Sequence, residues 1–411
     1  MKKTVEDIDV RGKRVLVRCD FNVPLDGSGR ITDDRRIRCA LPTIKRLLDG
    51  GGRLILMSHL GRPKGDGPED RKKFTLAPVA KRLSELIGKP VELTSECVGE
   101  EVSAAVAAMK EGDVVLLENL RFNPPETIKD KAAAANAALR EQKDNFAEAL
   151  AELADVYIND AFGTCHRDNA SMLTVPQMME GKPRVVGYLV RKELEFLGGA
   201  VADPVRPFVC VLGGAKVSDK LGVIQSLLAK CDTILVGGAM AYTFLKADGL
   251  EVGKSLVEED LLETARSLRV EAGDKLKLPA DSVVAAEIKE GAVVQVVEGA
   301  IPSNQMGLDI GPKTVSRYRE IVCGAKTIVW NGPMGVIETP PFDRGTMAMA
   351  SAMAQATDAG AVTIIGGGDS AAAVDKAGLD ERMSHVSTGG GASLEFLEGK
   401  TFAAIDVLDD A

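Results

Sequence analysis

Short runs of apolar residues alternate with stretches of helical periodicity along the whole chain. The strand candidates defined by these runs are residues 14–19, 53–58, 91–94, 113–118, 155–159, 207–212, 232–236, 282–287, 326–330 and 361–365. Most of them are apolar at consecutive positions, which is typical of strands covered on both faces of a sheet. The alternation predicts βαβ units, and therefore an α/β fold with a mainly parallel sheet in each half of the chain.

An amphipathic segment near the middle of the chain marks the expected domain boundary. Residues 187–199 combine apolar and charged positions at helical spacing. The pattern predicts an interdomain helix, with one domain ending at residue 186 and the next beginning at residue 187. A second segment, residues 130–144, is rich in alanine with interspersed charged residues and predicts a solvated surface helix.

The predicted strands of the two halves end in chemically different residues. In the first half they run into polar and basic clusters, whereas in the second half they run into glycine, as at residues 213–214, 237–238 and 366–368. Ligands of open α/β sheets bind just past the carboxyl ends of the strands. Side chains there suit a small molecule with several negative charges, and glycines suit a polyphosphate held by backbone N–H groups. The contrast predicts two ligands, one bound by each half and facing each other.

Composition narrows the class of protein. The 411 residues are 45% hydrophobic and 27% charged, as is ordinary for a globular protein of this length. A net charge of −9 argues against a nucleic-acid partner. The seven cysteines form no C-x-x-C pair, which indicates a reducing compartment and no structural zinc. With no signal-peptide pattern and no apolar run of membrane length, the sequence predicts a cytoplasmic protein without a membrane partner.

Five basic residues of the first half occupy corresponding positions. They are Arg36, His59, Arg62, Arg121 and Arg167, and all but Arg36 lie at or just after a predicted strand end. A single arginine is more often a solvated surface residue. Five basic residues at corresponding positions favour a common cleft. Guanidinium groups there would bind the carboxylate and the phosphate of one small molecule.

Two polar residues follow the first predicted strand. Asp20 and Asn22 could form a turn, or they could orient hydroxyl groups of a ligand, and the residue pattern leaves both open.

The glycine turns of the second half have the composition of phosphate sites. Lys216 and Lys220 follow the first turn and, being four residues apart, are predicted to share one helical face. They could be a surface pair, but the preceding glycines favour phosphate contact. Asp369 follows a later turn at the start of a predicted helix, where it could coordinate Mg²⁺ beside phosphate or cap the helix.

Several common motifs are missing from the sequence. It contains no G-x-x-x-x-G-K-[ST], no G-x-G-x-x-G after the first strand and no G-x-S-x-G. An ordinary P-loop ATPase, a dehydrogenase and a serine hydrolase are therefore disfavoured.

Taken together, the segments at these strand ends closely resemble phosphoglycerate kinases over nearly the whole chain. The matching motifs begin at Arg18 (RCDFNVP), Ser58 (SHLGRP), Glu118 (ENLRF), Asn159 (NDAFGT), Gly213 (GGAKVSDK), Met306 (MGLDIGP), Trp330 (WNGPMGVIE), Gly366 (GGGDS) and Ser387 (STGGGASLE).

The resemblance implies a fold, a reaction and partners. The fold would be two Rossmann-like three-layer α/β domains joined by a helical hinge. The C-terminal tail, residues 402–411, would return to the first domain (residues 1–186), and the second domain would comprise residues 187–401. The reaction would be reversible phosphoryl transfer from 1,3-bisphosphoglycerate to ADP, giving 3-phosphoglycerate and ATP, with Mg²⁺ as cofactor. The enzyme is expected to act as a monomer and to close its hinge during catalysis.

The resemblance also implies roles residue by residue. The first domain would bind 3-phosphoglycerate through Asp20, Phe21, Asn22, Arg36, His59, Leu60, Gly61, Arg62, Arg121 and Arg167. The second would bind the nucleotide through Gly214, Lys216, Lys220, Gly238, Leu308, Asn331, Glu338, Gly366, Gly367, Gly368, Asp369 and Ser370. Arg36, Lys216 and Lys220 would be catalytic, and Asp369 would be linked to the metal.

Two departures from the family pattern are visible. The stretch 127–143 is longer than usual and is expected to extend a surface helix away from the site. Asp168 and Asn169 follow Arg167 where the family commonly has Ala-His, which bears on the contacts that support Arg167. A nucleotide-dependent kinase for a different carboxylate, or a catalytically silent binding protein, remain the alternative interpretations.

Overall fold

The computed structural model describes the backbone of residues 1–411 and the side chains of all of them except Ala200. The strands are β1 Arg14–Cys19, β2 Arg53–Met57, β3 Glu92–Leu93, β4 Val114–Leu116, β5 Val156–Asp160, β6 Arg184–Val186, β7 Phe208–Leu212, β8 Thr233–Val236, β9 Leu276–Lys277, β10 Asp281–Ala285, β11 Gln295–Glu298, β12 Met306–Ile310, β13 Thr327–Asn331, β14 Val362–Gly366 and β15 His385–Val386.

The α-helices alternate with these strands. They are α1 Arg35–Asp49, α2 Pro68–Phe74, α3 Ala77–Ile87, α4 Glu100–Ala108, α5 Asp130–Ala135, α6 Ala137–Glu152, α7 Val175–Met178, α8 Tyr188–Glu193, α9 Ala200–Ala202, α10 Leu221–Leu228, α11 Met240–Ala247, α12 Leu262–Ala272, α13 Pro312–Gly324, α14 Arg344–Asp358, α15 Gly368–Lys376, α16 Gly391–Leu397 and α17 Ala403–Asp406. Within the part of the chain that the structure describes, no helix combines the length and the apolarity needed to cross a membrane.

The first of two compact units is built on a six-stranded sheet. It comprises residues 1–193 and 401–411, and its strand order is β3-β4-β2-β1-β5-β6, with every pair parallel. The core strand β1 lies between β2 and β5 and buries its apolar residues completely, because helices cover both faces of a parallel sheet. The C-terminal residues belong to this unit, where the Asp409 carboxylate accepts hydrogen bonds from Arg184.

The second unit, residues 194–400, has two sheets. The larger is six-stranded and parallel, in the order β15-β14-β13-β7-β8-β9. The smaller is antiparallel, in the order β11-β10-β12. The run predicted at 282–287 is therefore a strand, β10, but it belongs to the antiparallel sheet. Alternation of apolar runs with helices does not reveal this, because a run's composition does not specify its partner.

The α/β fold class with two mainly parallel sheets is confirmed. Most predicted strands lie within a residue or two of the observed ones, as expected for runs that both faces of a sheet bury. The pattern missed β6, β9, β11, β12 and β15. Three of these have only two or three residues, too few for a period to show, and β11 is largely exposed. The two units divide between Glu193 and Leu194, later in the helical segment than residue 187.

The segment 130–144 is not a single solvated helix. Asn136 interrupts it and caps α6, where its side chain accepts hydrogen bonds from the backbone N–H groups of Ala138 and Leu139. Helix α6 buries one face, including the whole side chain of Lys143. The prediction of a solvated surface helix is wrong for this face, because the lysine ammonium is buried against Asp130 and the backbone carbonyl of Asp168, contacts that form only when the chain folds.

Candidate active site

The carboxyl ends of the parallel strands in the first unit gather the five basic residues at one edge of the sheet. His59 and Arg62 follow β2, Arg121 lies in a short 3-10 turn after β4, and Arg167 follows β5. Arg36 lies in the first turn of α1. Because β4, β2, β1 and β5 are neighbours, the loops that follow them emerge side by side.

Arg36 is held at this edge by an ion pair. Its guanidinium donates to the carboxylate of Asp20, the residue after β1, whose side chain is 6% exposed. Burial, the largest influence, would raise the pKa of Asp20, but the charges of Arg36 and Arg18 lower the pKa below its ordinary value. Asp20 is therefore an anion that fixes Arg36, which leaves the rest of the guanidinium for a ligand.

His59 is a neutral side chain with a fixed orientation. It is 3% exposed, and Nη2 of Arg18 lies 3.3 Å from its Nδ1. Burial is the main cause that holds the pKa of His59 well below 6.5; the charges of Arg18 and Arg121 act the same way, while Asp20 opposes them. Because a guanidinium only donates hydrogen bonds, Nδ1 is the acceptor and Nε2 carries the hydrogen. His59 can therefore donate one hydrogen bond from Nε2.

Backbone contacts tie the neighbouring loops into one surface. The N–H of Gly61 donates to Oδ1 of Asn22 at 2.8 Å, and Arg121 donates to the carbonyl of Gly61 at 2.6 Å. Leu60 is held at both its N–H and its carbonyl by the buried side chain of Asn119. Asn22, Leu60, Gly61 and Arg121 therefore form a single connected group, and Asn22 has a structural contact whatever else it binds.

Phe21 lies beneath this surface. Its side chain is completely buried in the core of the first unit, and its N–H donates to the hydroxyl of Ser58 at 2.8 Å. Like the predicted substrate residue Leu60, Phe21 has its side chain in the core, so any contact of Phe21 with a ligand would come from its backbone.

Positive charge is concentrated around Arg121. Burial, and then the charges of Arg167, Arg18 and Arg62, lower the pKa of Arg121 to about 10, although Glu126 acts in the opposite direction. Nε of Arg121 is buried and has no partner among the residues that the structure describes. A group of mutually repelling cations with an unused buried donor is what a multiply charged anion would stabilise.

Two residues that organise this edge were not predicted. Arg18 is fully buried in β1 and donates to the hydroxyl of Ser171 at 2.9 Å as well as facing His59. An arginine inside an otherwise apolar strand was a usable signal, since a buried charge requires partners. Asn119 had no such signal, because it lies at a strand end among other polar residues.

The lysines of the second unit do not share a helical face. Residues 213–220 form an irregular turn, and α10 begins only at Leu221. Lys216 is exposed, whereas Lys220 is 8% exposed and its N–H donates to the carbonyl of the fully buried Val217. The helical prediction is wrong because the chain inserts Val217 into the core before the helix starts.

The glycine at position 213 serves the packing of two loops. A Cβ atom there would lie 2.1 Å from the carbonyl oxygen of Pro333 in the loop after β13. The absence of a side chain at Gly213 therefore permits loop–loop contact, so this glycine by itself does not indicate approach to a phosphate.

A buried polar pair lies beside the glycine turn after β14. Nζ of Lys220 donates to Oδ1 of Asn331, which is 1% exposed. Nδ2 of Asn331 has no partner among the described residues and lies 3.0 Å from the place that a Cβ on Gly367 would occupy. Burial is the main cause that lowers the pKa of Lys220, and the charges of Asp219 and Asp369 oppose it.

Helix α15 begins at this turn, and the N–H groups of its first turn have no partners within the helix. Gly367, with φ of +87°, is the N-cap, and Gly366 ends β14. Asp369 is exposed in the first turn of α15 and is not the cap, so the capping alternative does not hold. The hydroxyl of the buried Ser370 accepts a hydrogen bond from the N–H of Gly332 at 2.6 Å.

The loop of residues 333–338 connects the residues that are predicted to contact the adenine and the ribose. Gly214 and Gly238 donate backbone hydrogen bonds of 3.0 and 2.9 Å to carbonyl groups of this loop, and the Leu308 carbonyl accepts one of 2.9 Å from it. Leu308 is 6% exposed within an apolar cluster, and Glu338 lies exposed at the loop's end. Gly214, Gly238 and Leu308 are therefore all hydrogen-bonded to the loop that ends at Glu338, and we call this group the loop framework.

Comparisons with known proteins show the family to which the chain belongs. The family model described as phosphoglycerate kinase matches residues 5–400. Curated phosphoglycerate kinases from Rhodopirellula baltica and Chlorobaculum tepidum are 55% and 54% identical, and the alignments cover 100% of this chain and of each relative. The structure of phosphoglycerate kinase from Coxiella burnetii superposes with a TM-score of 0.83 at 39% identity, covering 99% of this chain and 98% of that one.

A more distant structure shows the same fold. Phosphoglycerate kinase from Pyrococcus horikoshii is 30% identical and has a TM-score of 0.82, with 98% of this chain and 97% of that chain covered. Identity of this extent over the full length confirms the resemblance read from the strand-end motifs. The chain therefore belongs to the phosphoglycerate kinase family, and it is a glycolytic phosphotransferase that uses ADP and ATP as co-substrates.

Proposed function

We propose that the first unit is the phosphoglycerate-binding domain and the second the nucleotide-binding domain of this phosphoglycerate kinase. The reaction moves a phosphoryl group between the acyl phosphate of 1,3-bisphosphoglycerate and ADP. The single observation that supports the division of roles best is the cluster of cations around Arg121, beside the ion-paired Arg36, at one sheet edge. A molecule with a carboxylate and a phosphate would neutralise that cluster, and bidentate arginines suit both groups.

The neutral His59 has a distinct role in this proposal. Since its Nδ1 faces Arg18, it would offer Nε2–H to a substrate oxygen without adding a charge to the cluster. Arg62, which is exposed, and Arg167 would complete the grip on the anion, and Asp20 and Asn22 would face the glycerate hydroxyl.

The nucleotide phosphates would bind where Asn331 meets the glycine turn. The free Nδ2 of Asn331 lies beside Gly367, the residue from which α15 begins, and helix N-termini favour anions. Lys220 would hold Asn331 and add charge, and Lys216, in the exposed turn, would follow the transferring phosphoryl group. The loop framework of Gly214, Gly238, Leu308 and Glu338 would receive the adenine and ribose.

The residues present also fit Mg²⁺. Asp369 offers one exposed carboxylate next to the phosphate position, and magnesium commonly takes one or two carboxylates together with phosphate oxygens. When bound, the ion would neutralise charge on the nucleotide phosphates. Asp219, whose charge also reaches Lys220, is the second carboxylate in this region.

The chemistry needs positioning and charge neutralisation rather than a strong base. An acyl phosphate is already activated, and the attacking oxygen of ADP is already an anion. Arg36 and Lys216 would stabilise charge on the moving phosphoryl oxygens. Removal of one such donor typically costs about 3–4 kcal/mol of transition-state stabilisation, or roughly 10²–10³ in rate.

We also propose that the chain acts as a monomer in the cytoplasm and has no nucleic-acid partner. The net charge of −9 and the seven free cysteines support this proposal.

The test is a coupled assay of ATP consumption with 3-phosphoglycerate and Mg²⁺. Wild type should turn over, and Arg36→Ala and Lys216→Ala should lose roughly 10²–10³ in kcat. The matched control is Arg38→Ala, which removes a half-exposed arginine two residues from Arg36 whose partner is Asp34, and it should keep full activity. Calorimetry should show that Arg36→Ala still binds ADP normally. Equal losses of turnover and ADP affinity in that variant would contradict the division of roles between the units.

A further inference from the structure

We propose that Lys143 is a positioning residue that holds the loop carrying Arg167 and thereby sets how that arginine meets the substrate. The proposal rests on the proposed role of Arg167 in binding phosphoglycerate. It assigns a purpose to the long segment 127–143 and to Asp168, the two features of the sequence that the family resemblance leaves unexplained.

Lys143 makes both of its hydrogen bonds away from its own helix. It lies in α6, its side chain is 0% exposed, and Nζ donates to the carbonyl of Asp168 at 2.5 Å and to Oδ1 of Asp130 at 2.7 Å. A fully buried lysine requires partners of this kind, because an unpaired buried ammonium is costly. The ammonium group of Lys143 is therefore hydrogen-bonded to the backbone of Asp168, the residue that follows Arg167.

The same segment holds Asp168 a second time. The N–H of Asp130 donates to Oδ2 of Asp168 at 2.7 Å, and Nζ of Lys129 lies 3.4 Å from Oδ1. Burial would raise the pKa of Asp168, but the bond from Asp130 and the charges of Lys129 and Lys143 lower it. The segment 129–143 therefore binds Asp168 at two points, its backbone carbonyl and its side-chain carboxylate.

Arg167 lies between two fixed points as a result. On one side its own N–H donates to the carbonyl of Thr164 at 3.0 Å, and on the other side Asp168 is bound to the 129–143 segment. Arg167 also lies in the field of Arg121, and the two like charges repel. Without a restraint, this repulsion would move the loop and Arg167 away from Arg121. The hydrogen bond from Lys143 to Asp168 therefore keeps the cluster of cations assembled before the substrate anion binds.

The competing explanation is that Lys143 only stabilises the packing of α6. Lys182, which is exposed, provides a comparison, since its Nζ also donates to a backbone carbonyl, that of Ala154 at 2.8 Å just beyond the same helix. Lys182 belongs to the same unit and donates to backbone oxygens, but its partners are not next to a predicted substrate residue. A purely structural role of Lys143 predicts that Lys143→Met lowers the stability of the protein without a selective loss of 3-phosphoglycerate affinity.

The experiment compares ligand affinities of the full-length variants by calorimetry. Lys143→Met keeps an unbranched apolar side chain one atom shorter than lysine, and the partly exposed Asp130 can be solvated or pair with Arg140. We expect about tenfold weaker binding of 3-phosphoglycerate, within the range of coupling between contacting residues, and unchanged binding of ADP. Lys182→Met should leave both affinities unchanged.

A double-mutant cycle with Arg167→Ala separates the possible failures. If Lys143 acts through Arg167, adding Lys143→Met to Arg167→Ala should weaken 3-phosphoglycerate binding no further. If Arg167→Ala binds the substrate normally, the proposed role of Arg167 fails. If Arg167→Ala weakens binding but Lys143→Met does not, or Lys143→Met weakens ADP binding equally, the positioning role is overturned.

A second variant, Asp168→Ala, tests the proposal if Lys143→Met does not fold. Asp168→Ala removes a partly exposed carboxylate and its bonds to Asp130 and Lys129, while the bond from Lys143 to the backbone carbonyl can persist. It should produce a smaller loss of affinity, again confined to 3-phosphoglycerate. Normal 3-phosphoglycerate binding in this variant would overturn the part of the proposal in which the 127–143 segment positions Arg167 through the Asp168 carboxylate.

Discussion

Lys220 and Asn331, more than a hundred residues apart in the chain, form a buried hydrogen bond that determines which end of the asparagine amide faces the glycine turn. Because the ammonium can only donate, it takes Oδ1 and leaves Nδ2 pointing toward Gly367. The pair thus presents a hydrogen-bond donor rather than an acceptor at the start of α15. This is the polarity that a phosphate group requires.

Asn331→Ala should weaken ADP binding without affecting 3-phosphoglycerate. The variant loses one donor to a charged group, which is worth about 1.5–3 kcal/mol. Calorimetry with each ligand would measure the two affinities. Asn119→Ala is the comparison, since it removes a buried asparagine of the other unit that holds Leu60, and there the 3-phosphoglycerate affinity should fall instead. An equal loss for both ligands in Asn331→Ala would contradict the assignment.

Asp369→Asn should raise the Mg²⁺ concentration needed for half-maximal activity. The amide retains the shape of the carboxylate but loses its charge, and magnesium prefers anionic oxygen ligands. A titration of activity against Mg²⁺ at saturating substrates measures the effect. Asp375→Asn, near the other end of α15, is the control and should leave the titration unchanged. An unaltered Mg²⁺ requirement in Asp369→Asn would remove Asp369 from the metal site.

His59 should make the protein less stable as the pH falls below about 6.5. Its pKa is lowered in the folded state, so the unfolded chain binds a proton that the folded chain does not, and stability declines as the proton concentration rises. His59→Gln should lose this component between roughly pH 5 and 6.5, seen in denaturant unfolding across that range. The NMR signals of His59 in wild type should not titrate at neutral pH. A titration midpoint at or above 6.5 would contradict the neutral form.

Asp160, in contrast to His59, should make the protein less stable as the pH rises. Its carboxylate accepts a hydrogen bond from the N–H of Leu189 at the start of α8, and burial raises its pKa from 3.8 to about 7. The folded state therefore holds a proton that the unfolded state releases, so this group's contribution to stability falls as the pH rises from about 4 to about 7. Asp160→Asn should lack that decline. Parallel pH profiles for wild type and variant would refute the raised pKa.

Several features were accessible from the chain alone because they depend on local pattern. Apolar runs that both faces of a sheet bury produced strands almost where they were predicted, as at β1, β7 and β13. The contrast between basic and glycine strand ends also followed from sequence, since parallel topology brings carboxyl ends to one edge. The basic residues gather at that edge for this reason, before any side-chain geometry is known.

Other features depended on partners that the sequence places far apart. Arg18 and His59 are separated by 41 residues, and only the pairing of β1 with β2 brings them together. The turn before α10 and the burial of Lys143 likewise result from contacts with the core and with Asp168. The sequence by itself determined most of the longer strands of the parallel sheets and predicted which kind of ligand each half would suit. The tertiary structure decided which polar groups are buried together, because the cost of burying a charge depends on its neighbours in space.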